Sequence, residues 1–255
     1  LQHDGRTRTY KLHVPARVAQ GTSAVPLVIM LHGGGGNADN AEMMSGFSRK
    51  ADREGFIVAY PDGTGGGRAA MYTWNAGHCC GYAMQNNVDD VGFIGALIDQ
   101  VQRDHRIDPS RIYVTGMSNG GMMSHRAGIG LADRIAAIAP VVGGLFGDEA
   151  APRSPVSAII INGMRDESVP YNGGQSGGLG ARAWDGTPVR PAVEQGTFWA
   201  SAGRCNATPH ESDGGGFTLW QYDCPSPVGV ARYALKDGGH AWPGGRKGSR
   251  RGDDP

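Results

Sequence analysis

The sequence lacks the features that mark nucleic-acid and membrane proteins. Its 24 basic and 24 acidic side chains cancel, so the formal net charge at pH 7 is zero. A neutral chain provides no electrostatic footprint for a polyanion. No apolar run approaches the ~20 residues that a membrane-spanning helix needs. We therefore expect neither a nucleic acid nor a membrane as a partner.

Cysteine is also scarce, with four residues in 255. No C-x-x-C pair with following histidines occurs, so we expect no metal site. Cys205 and Cys224 flank a glycine-rich polar turn at 213–216, an arrangement that suits a disulfide between neighbouring segments. Cys79 and Cys80 are adjacent and either pair with each other or stay reduced. Buried thiols are the alternative for all four, whereas disulfides would indicate a secreted or extracytoplasmic location.

Glycine is abundant, with 43 residues, and it separates apolar strands from amphipathic helices. This alternation predicts an α/β fold with a mostly parallel sheet and helices on both faces. We expect one domain over residues 1–245 and a charged, mobile tail over 246–255. The predicted strands are 7–14, 25–31, 56–60, 112–115, 135–142, 157–161, 217–222 and 228–235; the predicted helices are 41–54, 191–202 and one capped by Asn87 that runs to 101; a turn is predicted at 108–110 and a long loop at 61–86.

The most informative motif is Gly116-Met117-Ser118-Asn119-Gly120, which follows a short β-type run and precedes a helical pattern. This is the G-x-S-x-G nucleophile elbow in the strand–turn–helix setting that it requires. The turn exposes the serine hydroxyl at the top of a sheet. Ser118 is therefore the candidate nucleophile.

A serine nucleophile needs a base, and His240 is the candidate among eight histidines. It lies in a glycine-rich loop, 238–245, directly after the last predicted strand. Loops at the carboxyl ends of strands hold the sites of open α/β sheets. His105 and His125 lie on predicted helices and are expected to be solvated.

The third member of such a site is a carboxylate that orients the base, and Asp166 is the candidate. It lies a few residues beyond the strand that is predicted to end at Ile161. Glu167 is the nearest rival, and Asp148 and Asp185 are more distant alternatives. The order Ser118, Asp166, His240 is the order found in α/β-hydrolases.

The oxyanion that forms during acyl transfer needs backbone N–H donors. One candidate is the N–H of Asn119, directly after the serine. The other is the N–H of Gly34, in the loop His32-Gly33-Gly34-Gly35-Gly36 after an early buried strand. His32 is expected to brace this loop rather than to take a proton.

Six motifs in one order carry a family resemblance over almost the whole chain. They are Leu31-His32-Gly33-Gly34, Tyr60-Pro61-Asp62-Gly63, Trp74-Asn75-Ala76-Gly77 with Cys79-Cys80-Gly81, Val88-Asp89-Asp90-Val91, Gly116-Met117-Ser118-Asn119-Gly120-Gly121 and Gly239-His240-Ala241-Trp242-Pro243-Gly244. Together they resemble the secreted serine esterases of the polyhydroxybutyrate depolymerase and feruloyl esterase-like family. The resemblance implies an α/β-hydrolase fold, carboxylic ester substrates and no cofactor.

These motifs indicate the type of reaction more closely than they indicate the class of substrate. Trp74, Trp242 and His32 are predicted to lie at the substrate, with ordinary packing as the alternative for the tryptophans. The printed sequence shows no linker and separate polymer-binding domain, which favours feruloyl or acetyl esters of plant polysaccharide. A polyhydroxyalkanoate or related polyester is the alternative. An inactive hydrolase fold that binds a carbohydrate or partner is the rival from another class.

Overall fold

A nine-stranded sheet organises the described part of the chain, which in this computed structural model comprises residues 1–65, 71–177, 182–248 and 252–255. A small hairpin of β1 (Gln2–His3) and β2 (Arg6–Thr7) precedes it. The sheet strands are β3 (Tyr10–His13), β4 (Val25–Leu31), β5 (Ile57–Pro61), β6 (Ile107–Met117), β7 (Ala137–Val141), β8 (Ser157–Gly163), β9 (His210–Asp213), β10 (Phe217–Tyr222) and β11 (Val230–Leu235).

The order of the strands is β3-β5-β4-β6-β7-β8-β11-β10-β9. The six central strands from β5 to β11 run parallel, and the antiparallel strands β3, β10 and β9 lie at the two edges. The described helices are α1 (Ala16–Ala19), α2 (Ala38–Ser45), α3 (Phe47–Glu54), α4 (Gly81–Gln85), α5 (Asp90–Asp104), α6 (Asn119–Gly130) and α7 (Ala192–Ala202).

Side-chain alternation along β4 divides the core between the two faces of the sheet. Leu27, Ile29 and Leu31 belong to a cluster with the apolar sides of α5, α6 and α7. Met30 belongs to a second cluster with α2 and α3. All five residues of β5 are buried, as expected for a parallel strand covered on both faces. The mostly parallel sheet with helices on both faces is therefore confirmed.

Several local predictions differ from the structure. The helix expected over 41–54 is two helices, because Gly46 adopts φ 64° between α2 and α3. Asp89, not Asn87, caps α5 through a hydrogen bond from the Gly92 N–H. The turn predicted at 108–110 lies within β6, where the pairing with β4 shifts register.

The predicted mobile tail makes contacts in the part that the structure describes. The Arg246 N–H donates to the Met44 carbonyl at 3.0 Å, and Asn40 Nδ2 donates to the Gly248 carbonyl at 2.7 Å. Residues 249–251 lie outside the described residues. The segment 246–248 thus lies against α2.

The topology brings four loops to one edge of the sheet. The loops after β4, β6, β8 and β11 all leave the carboxyl ends of parallel strands. These loops carry Gly34, Ser118, Asp166 and His240 respectively. The parallel sheet therefore collects residues that are far apart in sequence at the edge where such folds hold their sites.

Candidate active site

Ser118 occupies a strained turn between β6 and α6, with φ 57° and ψ −122°. Such a conformation is costly for a residue with a side chain and persists only where its surroundings enforce it. The Ser118 N–H donates to the Val141 carbonyl at 2.9 Å. Ser118 thus lies between the end of a buried strand and the first turn of a helix, as a nucleophile elbow requires.

The two motif glycines are required by close backbone approach. A Cβ at Gly116 would lie 2.5 Å from the Gly120 carbonyl oxygen, and one at Gly120 would lie 2.4 Å from the His32 carbonyl oxygen. Any side chain at either position would push α6 away from β4 and β6. The spacing of the G-x-S-x-G motif thus follows from packing a helix against two strand ends.

Asp166 and His240 meet through a hydrogen bond of 2.8 Å between Oδ2 and Nδ1. The Asp166 side chain is 1% exposed, and its Oδ1 accepts the N–H groups of Ser168 and Val169, each at 2.8 Å. A carboxylate accepts, so the imidazole proton lies on Nδ1 and Nε2 is left as a base.

The two more distant rival carboxylates are engaged elsewhere. Asp185 and Asp148 hydrogen-bond the two nitrogens of His78, at 2.7 and 3.1 Å. Burial opposes protonation of His78, but these two carboxylates outweigh it and raise its pKa. Among the predicted acids, Asp166 is therefore the one that the structure brings to His240.

Ser118 and His240 line one cavity of about 380 Å³. Trp242 forms part of its wall, is 9% exposed and meets the Phe47 ring edge-on at 5.6 Å. This volume accommodates a small ligand or one end of a larger one. The full lining is Gly33, Gly34, Gly35, Gly36, Asn37, Asn40, Met44, Met117, Ser118, His240, Ala241, Trp242, Arg246, Gly248, Gly252 and Asp253.

The glycine loop after β4 lies directly against the elbow. A Cβ at Gly33 would lie 3.7 Å from Ser118 Cβ, and one at Gly34 would lie 3.7 Å from Asn119 Cβ. The N–H groups of Gly35 and Gly36 are used within the loops, on the carbonyls of Tyr72 and Gly33. Over residues 1–65, 71–177, 182–248 and 252–255, the Gly34 N–H has no hydrogen-bond partner.

His32 and Trp74 do not contact the cavity, which corrects their assignment as substrate-binding residues. Both are fully buried. The Trp74 indole donates to the His32 carbonyl at 2.9 Å, and His32 Nε2 accepts the Gly63 N–H at 3.0 Å. Burial lowers the pKa of His32 to about 4. These two side chains support the glycine loop through hydrogen bonds to the carbonyls of His32 and Gly33.

His125 also differs from its prediction as a solvated helix residue. It is fully buried, and burial lowers its pKa to about 4. Its Nδ1 accepts the Trp199 indole N–H, and its Nε2 hydrogen-bonds Gln195 Oε1, each at 2.9 Å. Helical periodicity could not separate a buried polar pair from an exposed face.

Several residues that line the cavity were not predicted from the sequence, among them Asn40, Met44, Arg246 and Asp253. Asn40 and Met44 are four residues apart on α2, a spacing that could have placed both on one face. The Asp253 carboxylate accepts a hydrogen bond from the backbone N–H of His240 at 2.5 Å. No sequence pattern indicates this last contact, because the fold creates it.

The structure joins Cys79 to Cys80 and Cys205 to Cys224. Among the described residues, no cluster of His, Cys, Asp or Glu could hold a metal ion. Within the same residues, no helix has the length and apolar character to cross a membrane.

Comparison with known proteins decides the family. Residues 8–190 match the family model described as esterase PHB depolymerase. The chain belongs to this esterase family. It is a carboxylic ester hydrolase with an α/β-hydrolase fold, and the family resemblance of its six motifs is confirmed.

Similarity to individual relatives extends along more of the chain than the segment that matches the family model. The chain is 34% identical to feruloyl esterase B of Piromyces equi over 89% of its own length and 42% of that protein. It is 31% identical to a Nocardia uniformis subsp. tsuyamanensis protein described as an esterase, NocK, over 94% of this chain and 72% of that one. The acetyl xylan esterase from Aspergillus awamori shares the fold, with a TM-score of 0.65 at 15% identity over 92% of this chain and 89% of that chain.

Proposed function

We propose that the chain is a serine esterase that works through Ser118, His240 and Asp166. Ser118 Oγ attacks the ester carbonyl carbon while its proton passes to His240 Nε2. Asp166 holds the imidazole by Nδ1 and stabilises the imidazolium that forms. The carbonyl oxygen becomes an oxyanion and accepts the N–H groups of Gly34 and Asn119.

Collapse of this intermediate breaks the bond between the acyl carbon and the alcohol oxygen. The alcohol leaves with the proton from His240, and the acyl group stays on Ser118. Water then attacks the acyl carbon and gives a proton to His240. The Ser118 oxygen leaves the acyl group with that proton, which releases the acid and restores the enzyme.

The observation that carries this proposal is the buried Asp166 carboxylate on His240 Nδ1, beside a cavity shared with Ser118. Among the described residues, no hydrogen bond joins Ser118 Oγ to the imidazole. Such bonds are commonly long in free enzymes and tighten when substrate binds.

For the substrate, we propose feruloyl or acetyl esters of plant polysaccharide. The names of the relatives support this class, and Trp242 supplies an aromatic wall for a planar acyl group or a sugar ring. A polyhydroxyalkanoate or related polyester is the competing substrate, supported by the family description. The two disulfides support a secreted or extracytoplasmic location.

Rates on methyl ferulate, acetylated xylan and amorphous polyhydroxybutyrate, measured side by side, test the substrate. A higher rate on polyhydroxybutyrate than on the other two esters would reject plant-polysaccharide esters as the substrate class. No turnover of these esters or of an activated phenyl ester would favour the inactive, ligand-binding alternative.

A pair of adjacent variants tests the catalytic acid. Asp166→Asn should lower kcat by about 10³- to 10⁴-fold, because an amide cannot hold the imidazole in the required tautomer and charge state. Glu167→Gln should keep the rate of the parent enzyme. The reverse outcome would move the acid by one residue.

A further inference from the structure

The two proposed oxyanion donors, the N–H groups of Gly34 and Asn119, come from different segments of the chain. The distance between them must be fixed by contacts that join these segments. Gly34 follows β4 and Asn119 begins α6. Pairing between β4 and β6 ends at Leu31 and Gly116, so these two strands do not hold the Gly34 loop against Asn119 beyond those residues. Oxyanion stabilisation depends on donors that are placed before the charge develops.

Trp74 contacts both loops. Its backbone N–H donates to Asn119 Oδ1 at 2.7 Å, and its carbonyl accepts Asn119 Nδ2 at 3.0 Å. The Asn119 side chain is thereby clamped at both ends, and the residue is 1% exposed. These two hydrogen bonds fix the side chain of the residue whose backbone N–H is the second proposed oxyanion donor.

The indole of the same Trp74 reaches the other loop. Its Nε1–H donates to the His32 carbonyl at 2.9 Å, one residue before the glycine run. Its ring lies 4.8 Å from the His32 imidazole, centroid to centroid. The fully buried position of Trp74 excludes water as a substitute partner.

His32 continues the connection into the glycine loop. Gly63 offers its backbone N–H to Nε2 at 3.0 Å, so the imidazole proton must lie on Nδ1. Nδ1 then donates to the Gly33 carbonyl at 2.7 Å. The peptide whose oxygen is held in this way is the one that carries the Gly34 N–H.

We infer that Trp74 is a positioning residue that sets the geometry of both oxyanion donors at once. Its backbone fixes Asn119, and its indole, through His32, fixes the peptide of Gly34. The inference rests on the proposed function, since it assigns Trp74 a role in the same reaction. This role takes the place of the substrate contact predicted for Trp74 from the sequence, which the burial of Trp74 excludes.

The chain offers a matched control for the test. Trp199 is also fully buried, and its indole also donates to a histidine residue at 2.9 Å, at His125 Nδ1. Trp74→Phe and Trp199→Phe each remove one buried N–H donor and retain an aromatic ring. Both should lower stability by a similar amount, so any difference in activity reports position and not folding.

We expect Trp74→Phe to lower kcat by about 10- to 100-fold with KM within about twofold, because displaced donors lose part of the 10²- to 10³-fold that one donor supplies. Trp199→Phe should keep kcat within about threefold. The inhibition constant of a trifluoromethyl ketone, which adds to Ser118 and forms an oxyanion, should rise in proportion to KM/kcat in Trp74→Phe.

Asn119→Ala provides the second test, since it removes the clamped side chain and keeps the backbone N–H. Combined with Trp74→Phe, it should cost less than the product of the two single effects, because both act on one arrangement. Equal kcat in Trp74→Phe and Trp199→Phe, or an unchanged ketone inhibition constant, would overturn the inference and leave the proposed function intact. A parent enzyme without esterase activity and without reaction at Ser118 would instead reject the proposed function.

Discussion

Two buried histidine–tryptophan pairs, His32 with Trp74 and His125 with Trp199, have similar chemistry and different surroundings. In both, burial lowers the histidine pKa to about 4 and an indole N–H donates to the histidine residue at 2.9 Å. The tautomers are opposite: His32 carries its proton on Nδ1, and His125 carries it on Nε2. In each case the fixed donor nearby decides which nitrogen must accept.

The difference lies in what each pair holds. His32 and Trp74 hold the backbone of Gly33 and Gly63 and the side chain of Asn119, and Gly33 lines the cavity. His125 and Trp199 join side chains of α6 and α7. The same degree of burial and the same pKa direction therefore mark a positioning group in one place and helix packing in the other. Burial and pKa alone do not identify a functional residue.

The disulfides follow the same division. Cys79 Sγ accepts from Asn119 Nδ2 at 3.7 Å, so the pair Cys79–Cys80 belongs with the loops near the cavity. Cys205 follows α7 and joins Cys224 beyond β10. One bridge lies at the elbow, and the other fastens a helix to the edge of the sheet.

The largest expected effect is the loss of stability in acid, to which both pairs contribute. Each folded-state pKa of about 4 lies below the unfolded value of about 6.5, so the unfolded chain binds more protons between these values. This contribution is complete above pH 6.5 and is lost as pH falls towards 4. Each histidine should remove about 3 kcal/mol over this range.

Denaturant unfolding from pH 4 to 7 of the parent, His32→Gln and His125→Gln measures this contribution. Each variant should show a shallower loss of stability than the parent. Activity at pH 7 separates the two histidines, because only His32→Gln should lower kcat. Parallel stability curves for all three proteins would contradict the neutral, buried state of these histidines.

The next effect comes from the longer disulfide. Replacing Cys205 and Cys224 by serine should lower the free energy of unfolding by about 3 kcal/mol, because the bridge closes a 19-residue separation in the unfolded chain. Esterase activity below the unfolding temperature should persist. Thermal unfolding and initial rates of the double variant check both statements.

The smallest effect is expected from the bridge near the elbow. Cys79 and Cys80 are adjacent, so their disulfide constrains little of the unfolded chain and its removal should cost less than about 1 kcal/mol. Replacing both by serine removes the sulfur contact to Asn119 and should lower kcat by about threefold. A large stability loss with unchanged kcat would reverse the contrast between the two bridges.

The sheet and the candidate site residues leave local signals in the sequence. Continuous apolar runs mark β4 and β5, and glycines mark the elbow and the loop of Gly34. The candidate acid Asp166 is indicated by its place after a buried strand. These features depend on neighbours along the chain, which a sequence displays.

Long-range partners left no such signal. Trp74 resembles a pocket aromatic by its position in a long loop, and only its indole contact with His32 reveals a supporting role. His125 shares helical spacing with exposed residues, and the α7 partner that buries it is 70 residues away. Asp253 reaches His240 through the path of the folded chain, which no spacing rule predicts.

The proposed reaction depends on Ser118 as the activated nucleophile, and covalent labelling tests this role directly. A fluorophosphonate probe followed by peptide mass mapping should place one adduct on Ser118 of the parent protein. Labelling should be absent in Ser118→Ala and strongly slowed in His240→Ala, since an unassisted serine is a weak nucleophile. An adduct on another residue, or esterase activity in Ser118→Ala close to that of the parent, would contradict the account.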